Sequence, residues 1–384
     1  MKQYYFLISV SLIVVLLFSF FVLPDRTSRR GGVDEIFVGV TFSGDSVSDA
    51  KLLIDWVKNF TNLLVVQSGP ASKNETMLNE ICDYAVNASL STIVYFGMFD
   101  HDWQPLWLDS AKEKWGSSFL GVYFFDEPAG SLLDSFEEQM KKYQCDDTPI
   151  EDPENYDEMA DFFVHSWETM PGLTTVKERA VPLVAYTSDY ALYWFDYLAG
   201  YDIVFAQFGW NHSREQDIAL IRGAAKVQDK TWGIIVTWTF NNPPYLEDGE
   251  RLYEDLVMAY NNGAKYFVVF NYPTINDYGI LNNEHFLALE RFWQEIQVDS
   301  DYAPVVADSV LVLPKNYGWG MRNPNDSIWR PEWGPDAKSP QIWNISRTLL
   351  SRYSTNLDIV YDDNRFPLED KYSEIIYWNS TIEN

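Results

Sequence analysis

A run of small and apolar residues, Gly121-Val122-Tyr123-Phe124-Phe125, ends abruptly in two carboxylates and a proline, Asp126-Glu127-Pro128. Two adjacent carboxyls in apolar surroundings disfavour each other's charge, so one of them keeps its proton to a higher pH than an isolated acid does. A carboxylic acid that is still protonated near neutrality can pass that proton to a leaving oxygen, while a charged neighbour supports the positive charge that develops. Glu127 is therefore the expected general acid and Asp126 its partner. Proline removes a ladder donor, which places the pair where a strand stops. An ordinary Asp-Glu-Pro turn has the same sequence, so position in the fold must decide between the two.

Similar residue types follow other short apolar runs. One run is followed by Asp100, His101, Asp102 and Trp103, another by Ser188, Asp189 and Tyr190. Gln207, Trp210 and Asn211 follow a third, Trp238, Asn241 and Asn242 a fourth, and Asn271 and Tyr272 a fifth. Asp189 is the candidate second catalytic carboxylate, with Asp100 as the other choice. Gln207, Asn241, Asn271 and Asp100 are candidates for hydrogen bonds to ligand hydroxyls, and Trp238 and Trp103 for flat apolar platforms. Lys and Arg are almost absent from these positions. A phosphorylated or carboxylated ligand requires cations, whereas a neutral polyol suits amides, carboxylates and indole faces. The expected ligand is a neutral carbohydrate.

Such residues act together only if the scaffold gathers strand ends on one face. Runs rich in Val, Ile, Phe and Tyr occur at 36–42, 62–67, 91–97, 119–125, 181–186, 202–208, 232–238 and 265–271. Most are apolar at consecutive positions, as strands covered on both faces are. Helical periodicity lies between them, at 48–60, 76–88, 106–115, 157–170, 216–227, 248–262 and 283–298. This alternation predicts an α/β fold, a (β/α)8 TIM barrel over residues 35–300, with ligands at the C-terminal strand ends. An open doubly wound sheet is the other candidate. Its Gly-rich phosphate loop is missing after the first run, which continues TFSGDSVS. Residues 144–159 are strongly acidic and read as a solvated excursion. Residues 301–384 read as a C-terminal extension packed on the barrel, with a strand-like run at 309–313 and a helix near 339–353. Its segment Tyr317 to Met321, with Trp329 and Trp333, is either a lid over the barrel or a cover for apolar surface.

With an Asp-Glu-Pro motif ending the fourth of eight strands, the chain resembles the (β/α)8 glycoside hydrolases. In a large retaining group of these, the acid/base Glu lies in Asn-Glu-Pro at that point; here the first residue is Asp126. The resemblance implies that Glu127 is the proton donor. It also implies a nucleophilic Glu at the end of the seventh strand, where this chain reads Ile234-Ile-Val-Thr-Trp238-Thr-Phe-Asn-Asn242 and has no carboxylate. Either Asp189 or Asp100 supplies the second group, or Asp126 and Glu127 act together as in substrate-assisted chitinase- and hexosaminidase-like barrels. The alternative is a barrel that binds glycan without catalysis, or a structural cell-surface protein.

The 384 residues include 56 Asp or Glu against 28 Lys or Arg, a formal net charge of −28. A polyanion of this kind is repelled by phosphate backbones, so nucleic acid is not an expected partner. Aromatic residues make up 16% of the chain, too many for a disordered acidic segment. Cys82 and Cys145 permit one disulfide at most, and the four His are scattered without zinc spacing, so no metal or cofactor is expected. Tyr4–Leu23 is almost wholly apolar, and twenty helical residues span roughly 30 Å, enough for a transmembrane helix. The expectation is a membrane anchor over residues 1–23 and a linker over 24–34, with a cleaved signal and secretion as the alternative. Seven Asn-X-Ser/Thr sequons, at Asn59, Asn74, Asn87, Asn211, Asn325, Asn344 and Asn379, suggest an external domain on a single-pass cell-membrane protein.

Overall fold

The eight apolar runs form eight parallel strands: β1 (Phe37–Phe42), β2 (Leu63–Val66), β3 (Ser91–Phe96), β4 (Phe119–Phe124), β5 (Val184–Asp189), β6 (Ile203–Phe208), β7 (Thr231–Val236) and β8 (Tyr266–Val269). Each pairs with the next and β8 closes onto β1, giving a closed barrel in sequence order. This computed structural model describes residues 36–143, 152–179, 181–272, 280–299 and 301–381. The apolar N-terminal run, its linker and Cys145 lie outside the described residues, and no described helix is long and apolar enough to cross a membrane.

Strand parity fills the barrel. Phe37, Leu63, Val65, Ile93, Tyr123, Tyr186, Phe205, Ile235, Tyr266 and Val268 form one buried cluster, the interior. Four rings dominate it: Phe205 lies 5.6 Å from Tyr266, 5.8 Å from Tyr186 and 6.3 Å from Tyr123. The alternate residues, among them Val38, Leu64, Val94, Val122, Ala185, Val204, Ile234 and Phe267, join the cluster beneath the helices. Because side chains alternate along a strand, parity assigns each residue near the mouth to one side of the wall.

The surrounding helices are α1 (Val47–Val57), α2 (Gly69–Ser72), α3 (Glu75–Asn87), α4 (Trp103–Trp115), α5 (Pro128–Tyr143), α6 (Tyr156–Glu168), α7 (Pro171–Lys177), α8 (Tyr193–Leu198), α9 (Arg214–Gln228), α10 (Gly249–Asn261) and α11 (Asn283–Val298). Several begin at side-chain caps: Ser46 accepts the Asp49 N–H, Asn74 that of Met77, and Asp248 that of Arg251. Sequence periodicity misses α5, whose first turns contain Gly130, Ser131 and Ser135 and have low intrinsic propensity. It also places the fifth strand three residues early. Pro182 cannot donate to a ladder, so β5 starts after it and runs through Asp189.

The extension forms a separate three-stranded parallel sheet, ordered β10-β9-β11, from β9 (Ser309–Leu313), β10 (Leu357–Tyr361) and β11 (Glu374–Tyr377). Helix α12 (Ser339–Tyr353) connects β9 to β10. The sheet packs on α9, where Arg222 reaches Asp358 at 2.8 Å and Asn262 at 2.6 Å. Gly223 is required there, because a Cβ would fall 2.8 Å from the Ile359 carbonyl. Tyr317, Trp319 and Trp329 are buried, with Trp329 against Phe195 at 4.6 Å and Phe163 at 6.0 Å. They seal the extension to α6 and α8 rather than cover the barrel mouth. The acidic 144–159 segment is not wholly a solvated excursion either: Asp152 pairs with Arg330 at 2.6 Å, and residues from Tyr156 onward enter α6.

Candidate active site

The backbone turns sharply after β4. Phe125 and Glu127 both have positive φ, 59° and 56°, a conformation unfavourable for side chains with a Cβ. Strain of this kind persists only where the surroundings enforce it. The enforcement is visible: the Glu127 N–H donates to the Ser188 carbonyl at 2.9 Å and the Phe125 N–H to Phe96 at 3.2 Å. Pro128 then opens α5, where a missing N–H costs nothing. The turn leaves both carboxyls half-buried at the mouth.

Inward parity brings Gln67, Ser188 and Gln207 to the same level. Gln207 Nε2 donates to Glu127 Oε1 at 2.8 Å and to Ser188 Oγ at 3.0 Å. Ser188 Oγ in turn donates to Asp126 Oδ1 at 2.9 Å. The Tyr123 hydroxyl also donates to Asp126 Oδ1 and lies 2.7 Å from Ser188 Oγ. Among the described residues, Asp126 Oδ2 meets only Gln67 Nε2, at 3.5 Å. The result is one chain of hydrogen bonds, from Tyr123 through Asp126, Ser188 and Gln207 to Glu127.

Burial raises the Glu127 carboxyl to about 7, and the Asp126 and Asp134 charges add to it, against the lowering effect of the Gln207 amide. Burial raises Asp126 as well, opposed by the hydroxyls of Tyr123 and Ser188. The two titrate as a pair. Two hydroxyl donors favour charge on Asp126, whereas a single amide serves Glu127, so Glu127 retains the shared proton. An acid protonated at neutrality beside a stabilised carboxylate has the elements of proton donation to a leaving oxygen.

Asp189 takes a different position from the one expected. The revised β5 boundary gives it outward parity, beneath α5. Its oxygens accept the N–H groups of Ala129 at 2.8 Å, Gly130 at 3.0 Å and Tyr190 at 2.7 Å. It caps the helix that follows Glu127 from a neighbouring strand, as a positioning residue. Gly130 allows the approach, since a Cβ there would lie 2.4 Å from Asp189 Oδ1. Burial raises Asp189 to about 8 despite these donors. Burial, and then the neighbouring Asp189 charge, raise Asp196 on α8 well above the usual carboxylate range.

Asn271 is also outward and buried. Its Oδ1 accepts the Ile280 N–H at 3.0 Å and its backbone N–H donates to Thr41 Oγ1 at 2.8 Å, so its amide oxygen is tied to the backbone ahead of α11 rather than free for a ligand. Asp100 and Asn241 are exposed in the loops after β3 and β7. Trp103 is half-buried at the start of α4, with its ring 6.2 Å from Phe96. Trp238 is half-buried at the mouth, its ring 5.1 Å from Tyr245 and 5.9 Å from Tyr272.

Sequence reasoning gave Ser188 no role and missed Tyr123, although inward parity on β5 and β4 points to both. It also missed Arg322. This side chain comes from the extension and grips Asp134 of α5 through two bonds of 2.7 Å and Asp326 through two of 2.9 Å. Tyr190 donates to the same Asp134 at 2.8 Å. The rim near Glu127 therefore does contain a guanidinium, neutralised by two carboxylates. Nothing in the local sequence of Arg322 signals that placement.

The barrel, with Glu127 at the end of its fourth strand, has the fold of the (β/α)8 glycoside hydrolases. A GH5_18 protein from Streptomyces cattleya, solved in complex with GlcNAc, superposes with a TM-score of 0.56 and 11% identity, covering 90% of this chain and 99% of that one. A β-galactosidase from the Antarctic haloarchaeon Halorubrum lacusprofundi gives a TM-score of 0.56 at 9% identity, over 89% of this chain and 69% of that one. The α-L-fucosidase isoenzyme 2 of Paenibacillus thiaminolyticus gives 0.50 at 11% identity, over 88% of this chain and 59% of that one. No protein-family model matches the chain, and no curated protein matches its sequence.

Proposed function

We propose that this protein acts on a neutral carbohydrate by general acid catalysis, with Glu127 as proton donor and Asp126 as the assisting carboxylate. The observation that carries the reading is the Glu127 carboxyl, held at 2.8 Å by Gln207 at the barrel mouth and raised to about 7 beside Asp126. Protonated Glu127 gives its proton to the glycosidic oxygen as the bond to the anomeric carbon breaks, and a water then bonds to that carbon and returns a proton to the Glu127 carboxylate. Asp126 Oδ1 is committed to Tyr123 and Ser188, which leaves Oδ2 to orient a substrate group or a water against the developing positive charge. Asp189 holds the helix that follows Glu127.

A specific feature also supports a binding-only reading: β7 ends in Val236 and runs on through Thr237 and Trp238, without a carboxylate. The test is hydrolysis of a panel of aryl glycosides and polysaccharides by the protein and by Glu127→Gln. Loss of turnover in the variant supports the mechanism, and equal turnover removes Glu127 from it. Retained glycan binding with no turnover by either protein supports the second reading.

For location, we propose an externally displayed domain anchored by the apolar Tyr4–Leu23 run. All seven sequon asparagines being exposed on the folded domain supports this. Protease treatment of intact cells, releasing the domain while the anchor stays with the membrane, tests it.

A further inference from the structure

Among the described residues, three adjacent strand ends carry the main exposed aromatic surface. Trp210 follows β6, Phe240 lies in the loop after β7, and Tyr272 follows β8. Their exposures are 42%, 46% and 41%. Among the described residues only two other aromatics are exposed to this degree, Trp56 and Tyr377, and both lie elsewhere, on α1 and β11. Large apolar side chains left open together mark a surface that something covers.

The three are joined through Trp238. The Trp210 N–H donates to the Trp238 carbonyl at 2.7 Å, and Gly209 permits that approach, since a Cβ would lie 2.4 Å from the same oxygen. The Tyr272 ring is 5.9 Å from the Trp238 ring, and the Tyr245 ring is 5.1 Å from it. The Phe240 N–H donates to the Tyr245 carbonyl at 2.9 Å, which fixes the loop that presents the ring. Trp210 and Tyr245 have φ of 49° and 65°, so the backbone accepts strain where it presents the Trp210 ring and where it packs Tyr245 on Trp238. Residues 209–213, 236–245 and 269–272 contain no Lys or Arg, which disfavours an anionic ligand.

The strand that leads to Trp210 also serves the acid site: Gln207 of β6, which holds Glu127, stands three residues before Trp210. Neighbouring strands lie about 4.8 Å apart, so the ends of β6 and β8 are separated by roughly 10 Å, more than one sugar ring covers. We infer that Trp210, Phe240 and Tyr272, set around Trp238, form an extended platform for a chain of several neutral sugar units leading away from Glu127. The inference rests on the carbohydrate reading above, and it adds that the ligand is an oligosaccharide or polysaccharide rather than a single sugar.

The test is calorimetric binding of cello-, manno-, xylo- and chito-oligosaccharides of two to six units to the full chain carrying Glu127→Gln, which prevents turnover. Affinity for the recognised series should rise about tenfold or more from the shortest to the longest member. Adding Phe240→Ala or Tyr272→Ala should weaken the longest by roughly three- to tenfold and leave the shortest unchanged. Phe240→Tyr, which keeps the ring, should restore the affinity. Thermal unfolding of each variant checks that these exposed positions leave the fold intact. Binding of the shortest member with no gain in length overturns the platform alone. Equal loss for short and long chains also overturns it. No binding by any series overturns the platform together with the carbohydrate reading.

Discussion

Replacing Glu127 by Gln should stabilise the protein, and only above a certain pH. The carboxyl is raised to about 7 from an ordinary value of 4.5 by burial and by the Asp126 charge. A raised acid binds its proton more tightly in the folded state than in the unfolded one. Its favourable contribution is therefore complete below about pH 4.5 and disappears as pH climbs to about 7. At about 1.4 kcal/mol for each tenfold change in proton affinity, that interval corresponds to roughly 3 kcal/mol as an upper bound. Glu127 is only half-buried, and solvent screening reduces the expected effect to about 1–2 kcal/mol. Glutamine keeps an oxygen that accepts from Gln207 and has no charge to desolvate. Urea unfolding of the wild type and Glu127→Gln at pH 4, 6 and 8 should give a difference near zero at pH 4. The difference should grow in favour of the variant through pH 6 to about 1–2 kcal/mol at pH 8. A variant that is equally or less stable at every pH would refute the electrostatic account of this site.

Asp189→Ala should lower stability by about 2–3 kcal/mol in the same unfolding assay, because it strips the N–H groups of Ala129 and Gly130 of their acceptor. Asp189→Asn keeps one acceptor oxygen and should cost about half as much. Gln207→Leu removes the one amide that favours the charged form of Glu127. The Glu127 titration, followed by carboxyl-region NMR or by the alkaline limb of a rate profile, should move to higher pH; a move to lower pH would contradict the assignment.

The alternation of apolar runs with amphipathic stretches determined the barrel, because strands covered on both faces and helices covered on one carry different periodicities. That signal is local, and so is Asp126-Glu127-Pro128, where an abrupt change from apolar to charged marks the mouth. The placement of Gln207 and Trp238 at strand ends was legible for the same reason, whereas the bond from Gln207 to Glu127 was not. Asp189 was not. Its role depends on whether residue 189 points into the barrel or beneath α5, and a three-residue error in the start of β5, set by Pro182, conceals that parity. Asn271 went the same way, because an amide that accepts a backbone N–H and one that meets a ligand share a sequence context. Helix α5 escaped notice because part of its support is a carboxylate some sixty residues away in the chain. Arg322 was beyond reach for a similar reason, since its partners Asp134 and Asp326 meet only when the extension docks. Sequence by itself determined what is periodic or abrupt along the chain. Tertiary structure alone decided which carboxylates are paired, capped or left to hold a proton, because burial and contacts between distant residues set those charges.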